Sequence, residues 1–127
     1  MKSQGTGIII LSHGSRLSKA NRLTSEITAA LSRKMPDAII EPSSLQFQQP
    51  DFSATIRKLV RLGCKKIIVV PLFLFEGNHV QRDIPRAIKK ELVKYPGVSL
   101  TYAKSLGADQ RIADIVFDRI KEAMKCA

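Results

Sequence analysis

Two short runs of branched apolar residues, Gly7-Ile-Ile-Ile-Leu11 and Ile67-Ile-Val-Val70, carry no polar residue at alternate positions. A half-exposed strand alternates, whereas a strand covered on both sides reads as a continuous apolar run. Such strands belong to parallel sheets with helices on both faces. The segments between and after them have helical spacing. Leu17, Ala20, Leu23, Ile27, Ala30 and Leu31 recur every three or four residues and stop before Pro36. Asp51 can cap a second helix carrying Ile56, Leu59 and Val60, with Gly63 as its stop. Asp83 can cap a third, with Pro85 in its first turn and an end near Lys94. A fourth opens at Asp109 with Ile112, Ile115, Val116 and Ile120 on one face. Residues 38–47, interrupted by Pro42, read as a strand near an edge, and 98–103 as a fourth strand.

The order is therefore β-α-β-α-β-α-β-α, a three-layer α/β fold with a four-stranded parallel sheet. Right-handed crossovers and the order 2-1-3-4 set strands one and three side by side, with the chain reversing direction between them. Ligands of open α/β sheets bind in the crevice outside the carboxyl ends of strands at such a point. Residues 1–127 form a single domain, because 127 residues leave no room for a second core. No apolar run reaches membrane-spanning length, and the start of the chain lacks a signal-peptide pattern. Cys64 and Cys126 lie far apart without a paired motif, as expected of thiols in a reducing compartment, and a cytoplasmic location follows as the expectation.

The only histidines, His13 and His79, follow strands one and three. The first stands in Ser12-His-Gly-Ser-Arg16 and the second in Pro71-Leu-Phe-Leu-Phe-Glu-Gly-Asn-His-Val-Gln-Arg-Asp-Ile-Pro85. Under the expected strand order both face one crevice. Neutral imidazole binds Co, Ni, Fe or Zn and also accepts protons near neutral pH. Gly14 permits a sharp turn after His13, and the helix that follows aims free N–H groups at the crevice. Ser12 and Ser15 can add hydroxyls, and Gly77 and Asn78 lead into His79. Arg16 and Arg82 can hold anionic groups or remain solvated charges. Glu76 can take up a proton, bind metal or stay an exposed loop acid. Net charge is +10, which suits an anionic partner. Part of the excess is local, since residues 52–75 hold no acid but include Arg57, Lys58, Arg61, Lys65 and Lys66. Aromatic residues are 6% and no nucleic-acid signature is present, so charge alone leaves the partner undecided.

These motifs resemble the small-form sirohydrochlorin chelatases, the short class II relatives of the cobalt-inserting enzymes of cobalamin synthesis. The resemblance rests on four pieces and covers almost the whole chain. They are Ser-His-Gly-Ser-Arg at 12–16, Val70 through His79 to Arg82-Asp-Ile-Pro85, Leu62-Gly-Cys-Lys-Lys-Ile-Ile-Val-Val70, and Ser-Leu-Gly at 105–107. It implies a chelatase-like fold and insertion of a divalent metal, cobalt first and nickel next, into sirohydrochlorin. It implies no cofactor beyond that metal and no ATP, and the sequence has no P-loop. It implies His13 and His79 as the catalytic, metal-handling residues, and a homodimer because the short form is about half the length of the long enzymes. The chain departs from its relatives at Gln46 and Gln49, where they often carry glutamates; Glu76 is a candidate substitute. Sirohydrochlorin is a polycarboxylate, in keeping with a basic chain, and neither nucleic acid nor membrane is expected as a partner. Iron insertion, a metal or tetrapyrrole carrier, a histidine phosphatase and a nucleic-acid module are the other readings. The phosphatase requires Arg directly before the first histidine, where this chain has Ser12.

Overall fold

The computed structural model describes residues 5–14, 18–45 and 51–126, the side chain of His79 excepted. Its elements are β1 (Thr6–Ser12), α1 (Ser18–Lys34), β2 (Ile39–Ser44), α2 (Phe52–Arg61), β3 (Lys66–Pro71), α3 (Asn78–Lys94), β4 (Ser99–Tyr102) and α4 (Gln110–Cys126). The four strands form one parallel sheet in the order β2-β1-β3-β4. Pro42 lies on the edge strand β2, where a missing N–H costs the ladder least. β1 and β3 are central neighbours, with Leu11 opposite Pro71, so their carboxyl ends finish side by side.

The lack of alternation in β1 is explained by its two buried faces. Ile9 and Leu11 pack with Ile67 and Val69 beneath Phe52, Ile56 and Leu59 of α2 and Ile84 and Ile88 of α3. Ile8 and Ile10 point the other way, toward Ile40, Ala38 and Leu31 of α1. At about 25 cal/mol per Å² of apolar surface, this two-sided burial is the main stabilising term. α2 is bounded as its sequence predicts. The Asp51 carboxylate accepts the Ala54 N–H at 2.9 Å, and Gly63 takes the left-handed conformation beyond the last turn. α2 and α3 are joined through Glu91, only 3% exposed, which accepts a bond from Ser53 Oγ at 3.2 Å and pairs with Lys94 at 3.0 Å. Lys58 pairs with Glu41 across to β2.

Two expectations need correction. α3 starts at Asn78, not at Asp83, and Pro85 lies inside it. Val80 packs on the same core as Ile84 and Ile88, so the apolar stripe extends back one turn past the proline. That added burial offsets part of the cost of Pro85, which removes one backbone bond of the helix. His79 accordingly stands in the first turn of a helix and not in a loop. The second correction concerns α4. It opens after Asp109 as expected, with Asp109 Oδ1 accepting the Arg111 N–H at 2.9 Å. Yet it buries no residue, and its apolar stripe does not join the core. Among the described residues no helix is long and apolar enough to cross a membrane.

Candidate active site at the ends of β1 and β3

β1 ends at Ser12, whose hydroxyl donates to the Ser43 carbonyl at 3.4 Å and whose carbonyl accepts the Leu45 N–H at 3.0 Å. These bonds tie the exits of β1 and β2 together. Gly14 has φ of 87°, a conformation open to glycine and strained for other residues, and this turn leaves His13 exposed at the sheet's end. The exit of β3 is pinned alongside, with the Leu72 N–H donating to the Leu11 carbonyl at 2.8 Å. Phe73 follows immediately. Its ring is nearly buried and stacks on the His13 imidazole, with centroids 4.4 Å apart and planes 29° from parallel.

His13 borders two hollows. A cleft of about 610 Å³ is lined by His13, Phe73, Leu74, Phe75, Gly77, Asn78 and Val80. Its wall is mainly apolar, and Phe75 stands 79% exposed beside it. A smaller hollow of about 240 Å³, on the α1 side, is lined by Ser12, His13, Gly14 and Phe73 together with Asn21 and Thr24 of α1. The backbone of His79 lies between Asn78 and Val80, both of which line the larger cleft. The reversal point between β1 and β3 therefore brings together His13, Gly77, Asn78 and the backbone of His79, with Ser12 and Gly14 on the adjoining side.

Other predicted residues fall elsewhere. Glu76 and Arg82 are not among the residues lining either hollow. Glu76 is partly buried and faces Tyr102 at the end of β4; Arg82 is exposed on α3. The Tyr102 hydroxyl is buried and forms no hydrogen bond of good geometry among the described residues. Burial pushes its phenol up from the ordinary value, and the neighbouring Glu76 carboxylate pushes the same way. Ser15, Arg16, Gln46 and Gln49 lie outside the described residues. No cluster of three or more His, Cys, Asp or Glu side chains suited to a metal occurs among the described residues. The aromatic part of the site, Phe73 and Phe75, was not singled out from sequence. Its signal was the Leu-Phe-Leu-Phe run continuing past Pro71, where the strand ends.

The CbiX family model matches residues 7–123. The chain belongs to the CbiX family. A sirohydrochlorin cobaltochelatase of Methanococcus aeolicus is 33% identical over 90% of this chain and 96% of its own length. The chloroplastic sirohydrochlorin ferrochelatase of Arabidopsis thaliana is 31% identical over 93% of this chain and 52% of its own length. Among solved structures, the sirohydrochlorin chelatase SirB from Bacillus subtilis subspecies spizizenii, in complex with cobalt, superimposes with a TM-score of 0.87. It is 29% identical, and the match covers 93% of this chain and 50% of that one. The likeness to the SirB structure is a likeness of the whole fold, the sheet order β2-β1-β3-β4 included.

Proposed function

We propose that this protein inserts a divalent metal, cobalt first, into sirohydrochlorin without ATP, using His13 and His79 together. The supporting observation is the apolar cleft at the ends of β1 and β3, with one exposed imidazole on its wall and the backbone of the second histidine between two of its lining residues, Asn78 and Val80. A tetrapyrrole is a flat apolar ring with an anionic rim. Phe75 and Leu74 give the ring a surface to lie on, and the first turn of α3 offers unpartnered backbone N–H groups to rim carboxylates.

Insertion removes water from the metal, forms four bonds to pyrrole nitrogens and releases two pyrrole protons. Imidazole nitrogen binds such metals at about 2.0–2.1 Å, as in zinc sites. A site with few protein ligands leaves coordination positions open to the macrocycle, so metal passes on instead of being retained. An imidazole not holding metal accepts a pyrrole proton. The residues carry the reaction with no resident cofactor. We place the protein in the cytoplasm, as a homodimer, with nickel as the second metal; two imidazoles accept either ion. Iron is a third, favoured by the likeness to the plant protein named a ferrochelatase.

The test is a spectrophotometric assay of sirohydrochlorin with Co²⁺, Ni²⁺ or Fe²⁺ and catalytic amounts of protein. Many turnovers per chain, with a rate well above the uncatalysed one, are expected. Stoichiometric binding without turnover would replace the enzyme by a carrier, and no acceleration with any metal would overturn the proposal.

A further inference from the structure

His13 and Phe73 are shared by the two hollows at the ends of β1 and β3. The hollows lie toward opposite faces of the sheet. Val80, which packs with the cluster under α2 and α3, lines the larger; Leu72, which packs with the cluster under α1, lines the smaller. Their walls differ in chemistry. The larger offers Leu74, Phe75 and Val80, surfaces for a flat apolar ring. The smaller sets Ser12, Asn21 and Thr24 around the imidazole. Size separates them as well. Pockets that enclose organic ligands occupy about 300–1,000 Å³, a range that includes the larger hollow, at about 610 Å³, and excludes the smaller, at about 240 Å³.

The hydroxyls of the smaller hollow have already placed their protons. Ser12 Oγ donates to the Ser43 carbonyl at 3.4 Å, and Thr24 Oγ1 donates to the Ala20 carbonyl at 3.3 Å. Each oxygen keeps its lone pairs, so both act toward a ligand as acceptors. A hydrated cation presents the complementary surface, because the waters of its shell turn their hydrogens outward. One water takes up about 30 Å³, so a six-water shell needs roughly 180 Å³, which this hollow can supply. The chain carries a net charge of +10, yet none of the described residues lining the hollow is Lys or Arg. A cation is therefore spared the repulsion it meets elsewhere on the surface.

We infer that the divalent metal enters as a hydrated ion through the hollow beside α1, where Ser12, Asn21 and Thr24 hold its water shell. It reaches His13 from that side, while the macrocycle lies in the larger cleft on the other. A ring nitrogen of His13 displaces one water from the ion, and that water leaves through the same hollow. Both substrates can then occupy the protein together, since neither blocks the other's approach to the imidazole. Asn21 and Thr24 bind the metal through its waters and form no bond to it. The macrocycle's part in this inference rests on the chelatase reading above; the cation site does not.

The test is steady-state kinetics on the full chain, varying Co²⁺ at fixed sirohydrochlorin and then the reverse, with circular dichroism to confirm folding. Thr24→Val keeps the shape of the side chain and removes its oxygen. It should raise KM for Co²⁺ several-fold and leave KM for sirohydrochlorin unchanged, and Thr24→Ser should restore the wild-type value. Asn21→Asp adds a negative charge to the hollow and should lower KM for Co²⁺. Phe75→Ala, in the larger cleft, should raise KM for sirohydrochlorin alone. If Thr24→Val raises both constants together or moves neither, the route is overturned. A second arm needs no turnover. Hexaamminecobalt(III) donates hydrogen bonds as an aqua ion does but does not exchange its ligands, so it reports the water-shell site alone. Titrated into ¹⁵N-labelled protein, it should shift the amide signals of residues 12–14 and 20–24, in His13→Ala as in wild type and much less in Thr24→Val. Shifts confined to other residues, or none, would overturn the cation site. Shifts at the hollow in a protein that inserts no metal would sink the chelatase reading and leave the cation site standing. Metal insertion without those shifts, and with the two KM values moving together, would do the reverse.

Discussion

The imidazole of His13 lies face to face with Phe73 at 4.4 Å, which fixes the ring of an otherwise exposed histidine by contact with a nearly buried one. Phe73 thus belongs both to the core and to the site, and two substitutions separate those parts. Phe73→Ala should cost about 3–5 kcal/mol of stability. Phe73→Leu keeps most of the burial but loses the stack. Its midpoint in urea should stay near wild type while kcat for metal insertion falls several-fold. An unchanged kcat in Phe73→Leu would show that the stack does not position the imidazole.

The two histidines should fail separately and without unfolding. His13 is exposed and outside both core clusters, so His13→Ala removes little packing. Each of His13→Ala and His79→Ala should lower metal insertion by at least about a hundredfold, the range in which positioned acid–base groups act. Circular dichroism and thermal midpoint should hardly move. Metal ligands must be deprotonated, so Co²⁺ binding should weaken as pH falls, and this dependence should shrink in either variant. Full activity in both would end the assignment.

Tyr102 gives a prediction at alkaline pH. Its phenol is raised above the ordinary value of 10.0 by burial and by Glu76. A group with a raised folded-state value holds its proton more tightly when folded, so the associated stability is present below about pH 10 and lost as pH rises beyond it. Wild-type protein should therefore lose stability in that range, with part of its tyrosinate absorbance appearing only on unfolding. Tyr102→Phe should flatten the loss and remove the late absorbance step, as followed at 295 nm together with urea midpoints. Identical alkaline profiles for the two proteins would show that the phenol is not sequestered.

Local physics explains which features were legible in the sequence. The unbroken apolar runs at Ile8–Leu11 and Ile67–Val70 mark the two central strands; β1 is buried on both faces, whereas on β3 Ile68 and Val70 stay partly exposed, and sheet order follows from chain order and handedness. Asp51 and Gly63 acted where their chemistry predicts. Pro85 misled because its fixed φ suits a first turn, while the burial of Val80 that extends α3 backward is a tertiary effect. Glu76 and Arg82 were near His79 in sequence, but which way a side chain leaves a loop or helix is set by packing, and Glu76 turns toward Tyr102. The stripe on α4 was legible as apolar, although not as unpartnered, because periodicity shows that a face will be buried without showing by what.

The concentrated positive charge offers a last test, in which position outweighs quantity. Arg61, Lys65 and Lys66 gather at the end of α2 and the start of β3, at the amino end of the strand whose carboxyl end opens on the cleft. Six residues of strand at about 3.3 Å each put roughly 20 Å between these charges and the substrate site. At physiological ionic strength the screening length is about 8 Å, so most of their attraction for a polyanion is lost over that distance. Lys65→Gln and Lys66→Gln, alone or combined, should change KM for sirohydrochlorin less than about twofold at 0.15 M salt and leave kcat unaltered. A several-fold rise in KM that salt abolishes would mean that substrate approaches along this basic end, and the distance argument would fail.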